Sequence, residues 1–88
     1  MEYEDQERLL ETITEAIDID LTTREVRKDR RLVVRIPYGF SKENKLCIAA
    51  WLVESFPRGV SCIGEHRKFI TLTKDNLYAA DTYRVSFN

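Results

Sequence analysis

The run Leu46-Cys47-Ile48-Ala49-Ala50-Trp51-Leu52-Val53 constrains the fold more than any other segment of the chain. Ser41 is a good N-cap upstream of it, because a serine hydroxyl can accept a backbone N–H of the first helical turn, and Pro57 and Gly59 stop the pattern downstream. The run therefore lies in a helix of about Lys42 to Ser55. Such a helix is apolar all round, with Leu46, Ala49, Ala50 and Val53 on one arc and Ile48, Trp51 and Leu52 on another roughly opposite. A single sheet face covers only one arc. The other needs a second helix, or else Trp51 contributes to a homodimer or partner interface, where tryptophan is favoured.

A second helix is available. Leu9, Leu10, Ile13, Ala16 and Ile17 recur at the 3.6-residue period and predict an amphipathic helix over Glu4 to Ile17, ended by Asp18-Ile19-Asp20. Its remaining faces are acidic, and Glu4, Asp5 and Glu7 suit the positive end of the helix dipole.

The strands follow from alternation at period two. Leu32, Val34 and Ile36 should face the core within a strand from Arg31 to Pro37, leaving Val33 and Arg35 on the opposite side. Leu21 to Arg27 reads as a less regular partner strand, joined to it through the polar turn Lys28-Asp29-Arg30. Val60 to Ile63 and Lys68 to Thr73 form a second hairpin around Gly64-Glu65-His66-Arg67. In Thr82 to Phe87, Tyr83, Val85 and Phe87 share one face while Arg84 and Ser86 share the other. Leu77-Tyr78-Ala79-Ala80 could form a helical turn.

The expected architecture is α+β and two-layered: a mostly antiparallel sheet of about five strands, with both helices on one face, in the order α-β-β-α-β-β-β. Residues 1–88 make one domain, since so short a chain cannot close two hydrophobic cores. This order matches neither of two common small RNA-binding folds, one opening on a strand and the other carrying three strands between its helices.

Charge is divided along the chain. Residues 1–20 hold eight acids against Arg8 alone, a balance of −7, whereas residues 21–88 hold thirteen Lys or Arg against seven acids, a balance of +6. The basic part is densest from Arg24 to Arg35, where Arg24, Arg27, Lys28, Arg30, Arg31 and Arg35 outnumber Glu25 and Asp29. A basic hairpin can enter a nucleic-acid groove, and arginine holds phosphates bidentately. Phe69 and Arg84 could add a stacking platform on the opposite sheet face, although Phe69 could equally belong to the core. Basic edge strands are also a defence against edge-to-edge aggregation.

No constellation for catalysis is legible. His66 is the one side chain with an unperturbed pKa near neutrality, and it falls in a predicted turn. Its sharpest reading, as part of a small ribonuclease with Arg67, Lys68 and Tyr78 or Tyr83, has no fixed spacing to support it. Cys47 lacks an adjacent base, Ser41 and Ser61 lie outside any nucleophile-elbow context, and the three glycines are isolated. Cys47, Cys62 and His66 are too few for a four-ligand zinc site, and both thiols are expected reduced and mostly buried. Neither a metal nor a cofactor is expected. No apolar stretch approaches the ~18 residues of a membrane span, and the acidic start is unlike a secretory leader, so the expected location is cytoplasmic.

The sequence accordingly suggests a small non-catalytic regulator or inhibitor. It would bind a partner protein through the acidic helix (Glu4, Glu7, Glu11, Glu15), the Trp51 helix or both. The alternative is an RNA- or DNA-binding protein using the basic hairpin 24–35.

Overall fold

The computed structural model describes residues 3–22, 31–64 and 67–87, with residues 3–5 and 16–22 described by their backbone alone. In chain order these form α1 (Tyr3–Thr22), β1 (Arg31–Arg35), α2 (Lys42–Ser55), β2 (Val60–Ile63), β3 (Phe69–Leu72) and β4 (Thr82–Ser86). The class is α+β, as expected, with four strands among the described residues instead of about five.

Helix α1 runs past the expected end at Ile17 and takes in Leu21 and Thr22, which alternation had assigned to a strand. Asp18-Ile19-Asp20 does not stop it because neither residue type breaks a helix; each costs only a few tenths of a kcal/mol relative to good formers, unlike Gly or Pro. Thr12 and Thr14, usually indifferent helix residues, donate their hydroxyls to the carbonyls of Arg8 and Leu10 at 2.9 Å. The remainder of that expected strand and the turn Lys28-Asp29-Arg30 lie outside the described residues.

The sheet order is β1-β4-β2-β3, antiparallel at every junction. Because β1 and β2 both run against β4, they are parallel to each other, and α2 carries the chain from one to the other. The hairpin β2–β3 closes with the Gly64 N–H donating to the Lys68 carbonyl at 3.0 Å, and Arg67 adopts a left-handed φ of 58° there.

Register explains the core. Leu32, Val85, Val60 and Leu72 form one cross-strand row, and Val34, Tyr83, Cys62 and Ile70 form the next. Both rows are buried or half-buried on the same side of the sheet. Onto them pack Ile13 of α1 and Ile48, Ala49 and Leu52 of α2, so both helices share one face. Each fully buried large aliphatic side chain there, such as Ile48, Leu52 or Val85, contributes on the order of 1.5–3 kcal/mol.

Helix α2 has the expected bounds, and Ser41 caps it by accepting the Asn44 N–H at 3.1 Å. Its core-facing residues come from both apolar arcs, because the sheet lies against the seam between them. Leu46, Trp51 and Val53 flank the contact half-buried, while Cys47 and Ala50 face solvent. Covering every side was unnecessary because the residues left outside are small. Cys47 is thus exposed, against expectation, and Cys62 buried; both are free thiols. Trp51 meets Phe56 edge to face, with ring centroids 6.0 Å apart.

Leu77-Tyr78-Ala79-Ala80 is not helical. It is pinned by the fully buried Tyr83, whose hydroxyl accepts the Ala80 N–H at 3.0 Å and donates to the Tyr78 carbonyl at 2.8 Å, with the Lys45 carbonyl of α2 at 3.2 Å as a second acceptor. One phenol thereby ties the loop, the sheet and the helix together. An adjacent exposed ion pair, Lys45 to Asp81 at 2.6 Å, adds about 0–1 kcal/mol.

Candidate nucleic-acid interface

The same registers place the alternate residues on the outer face, which neither helix covers. One row runs Val33, Arg84, Ser61, Thr71; flanking it are Arg31 with Ser86 on one side, and Arg35, Thr82, Ile63 and Phe69 on the other. Val33, Ile63 and Phe69 are 53%, 42% and 52% exposed. No acidic side chain lies on this face among the described strand residues.

Arg84 is the organising residue. From β4 it reaches diagonally across β2 and lays its guanidinium over the Phe69 ring, 3.9 Å from the centroid. A guanidinium so placed is held by the electrostatic attraction of the ring's π-face. The contact holds a long side chain that would otherwise lose rotamer entropy on binding a ligand.

Arg58 joins the group from the turn between α2 and β2. Gly59 adopts φ +147°, where any side chain would be strained, and accepts the Ser86 N–H at 3.1 Å. That bond fastens the turn to β4. Arg31, Arg58 and Arg84 together with Ser61, Thr71 and Ser86 then border a shallow recess of about 260 Å³. Arg58 was not singled out by sequence reasoning; the signal for it was a cation beside the Gly that opens a strand.

Of the other residues the sequence suggested, Arg31 and Arg35 lie exposed on the outer face of β1. Arg24, Arg27, Lys28 and Arg30 lie outside the described residues, as does His66. Glu7, Glu11 and Glu15 are exposed on α1, on the helix side of the molecule and away from the arginines; the side chain of Glu4 is outside the described set. Trp51 is half-buried against Phe56. Tyr83, considered for a ribonuclease site, lies in the core on the opposite side of the sheet from Arg84, with its hydroxyl committed to backbone groups. Burial pushes its pKa above the ordinary 10.0, opposed in part by the hydrogen bond from the Ala80 N–H and aided by the neighbouring Cys62 and Asp81. Tyr83 therefore belongs to the scaffold.

Two further depressions border α2. The larger, about 540 Å³, is lined by Lys42, Lys45, Leu46, Leu77, Tyr78 and Ala79 and is open to solvent. Among the described residues no group of three or more His, Cys, Asp or Glu side chains is placed to hold a metal ion, and no helix is long and apolar enough to cross a membrane. Comparison with protein-family models, curated proteins and solved structures finds no match for this chain.

Proposed function

We propose that the protein is a non-catalytic, cytoplasmic binder of single-stranded nucleic acid, which it receives on the outer face of the sheet. The observation that carries this reading is the Arg84–Phe69 contact on a face that also presents Arg31, Arg35 and Arg58 and no described acid. Arginines would neutralise phosphates, while the half-exposed ring and the flat guanidinium would stack bases, a combination that tolerates many sequences. A symmetric dimer through this face is disfavoured, since it would bring arginines against arginines.

Fluorescence anisotropy with a labelled oligouridylate and its DNA counterpart tests the reading. Affinity should fall with salt by about 0.7 logarithmic units per phosphate neutralised for each tenfold rise in salt. Reversing Arg31, Arg35 and Arg84 to Glu should abolish binding, and replacing Glu7, Glu11 and Glu15 with Gln should not weaken it. Binding that survives the arginine reversal, or that is absent at low salt, would overturn the proposal.

A second reading rests on a different surface. Glu7, Glu11 and Glu15 recur every four residues and are all exposed, forming an acidic stripe on α1 that suits a basic protein partner. In that case the protein would act as a regulator or inhibitor. Affinity capture that is lost on changing these three residues to Gln would support this over the first reading.

A further inference from the structure

We infer that the recess between Arg31, Arg58 and Arg84 is a phosphate subsite, so that the smallest ligand of the outer face is one nucleotide: phosphate in the recess, base on Phe69. The inference rests on the nucleic-acid reading and narrows it to a geometry.

Three arginines line the recess from three separate elements: Arg31 from β1, Arg84 from β4 and Arg58 from the turn before β2. The scaffold brings their backbones together. Arg31 stands directly opposite Ser86, Arg84 opposite Ser61, and the Ser86 N–H to Gly59 carbonyl bond holds the Arg58 turn against the strand end. Ser61, Thr71 and Ser86 also line it, and no carboxylate does among the described residues. Such a set matches the oxygens of a phosphate, which accept charge-assisted bonds from several directions at once.

Size narrows the ligand further. At about 260 Å³ the recess falls just below the range of pockets that enclose whole small molecules, roughly 300–1,000 Å³. A phosphate seated there would leave its base outside. Phe69 borders the recess and is half-exposed, with Arg84 already stacked on it. A base leaving the phosphate therefore meets an apolar ring within the reach of one nucleotide. Arg84 belongs to both halves of the site, since it lines the recess and lies over the Phe69 ring. Arg35 lies on the same face but outside the recess, where it would meet a neighbouring phosphate of a longer strand.

The test uses the full chain and four probes: uridine, uridine monophosphate, inorganic phosphate and an oligouridylate, titrated by calorimetry and by backbone NMR shifts. Uridine monophosphate should bind more tightly than inorganic phosphate, and uridine should not bind detectably. Arg58→Ala should weaken uridine monophosphate by about tenfold, the value of one charge-assisted contact. Arg35→Ala should leave that affinity unchanged while weakening the oligonucleotide. Both residues are exposed, so both variants should keep the wild-type denaturation midpoint. If the oligonucleotide binds but Arg58→Ala and Arg35→Ala affect the monophosphate alike, the subsite is wrong and the wider reading stands. If phosphate and monophosphate bind with the expected Arg58 dependence but the oligonucleotide does not, the subsite stands and the nucleic-acid reading falls.

Discussion

The two faces of the sheet are made from alternate residues of the same four strands, yet they have little in common chemically. The inner rows are aliphatic or aromatic throughout, apart from one thiol and one phenol whose hydroxyl is fully hydrogen-bonded. The outer rows mix arginine, hydroxyl and exposed apolar residues. An antiparallel sheet with one wet face ordinarily needs only polar residues on that side. Here it carries several arginines together with an exposed aromatic ring that a purely protective surface would not require. If the outer face binds as proposed, stability and recognition are separable by residue parity, and substitution can test that separation.

The largest effect belongs to the inner face. Leu52→Ala should cost about 2–5 kcal/mol, the range for truncating a fully buried leucine, and urea denaturation would show the midpoint falling at constant slope. A cost comparable to that of an outer-face change would break the distinction. Next is Tyr83→Phe, which leaves the buried Ala80 N–H without its acceptor and should cost about 1–3 kcal/mol with little change in side-chain volume.

The same region sets an alkaline limit. Burial raises the Cys62 pKa above the ordinary 9.0 and the Tyr83 pKa above the ordinary 10.0. The unfolded chain therefore loses these protons first and binds fewer than the native state, so stability falls as pH rises. Their contribution is fully present below pH 9; it declines first through Cys62 and then, above pH 10, through Tyr83. Denaturation midpoints across this range should show the earlier part of the decline missing in Cys62→Ala.

On the outer face, Phe69→Ala should change stability by less than about 1 kcal/mol, the value of an exposed cation–π contact, while weakening oligonucleotide binding by about 1–3 kcal/mol. Parallel denaturation and anisotropy measurements would show whether the two effects separate. The smallest change is expected at the hairpin, where Arg67→Gly relieves a left-handed residue and should raise stability by about 0.5 kcal/mol, the gain being partly offset by the greater freedom of glycine when unfolded.

The sequence made the inner face readable because alternation and helical period are both consequences of burial. Helix α2 and strand β2 have the expected bounds, and Leu32, Val34, Tyr83 and Val85 face inward as alternation required. The end of α1 was not readable, since Asp18-Ile19-Asp20 weakens a helix without breaking it and Leu21 suits either structure. Phe69 was ambiguous for a related reason: Phe69 and Thr71 share one parity, Ile70 and Leu72 the other, and both parities carry apolar residues. Pairing with β2 settles the matter, since Ile70 stands opposite the buried Cys62. The site was half legible. Arg84, Arg31 and Arg35 follow from strand parity, but Arg58 reaches the group through a turn whose direction depends on Gly59 and its bond to β4.

The position of β4 bears on how the molecule is assembled in time. It follows the other three strands along the chain but sits between β1 and β2, so no pairing of β1 with the β2–β3 hairpin exists without it. Contacts between residues so far apart in sequence make for slow folding, because the intervening chain loses its freedom before the contacts are gained. Until β4 inserts, β1 and the hairpin present unpaired edges. Its arrival joins the sheet, with Tyr83 on the inner face and Arg84 on the outer one. The face proposed to bind is therefore completed only by the strand that completes the fold.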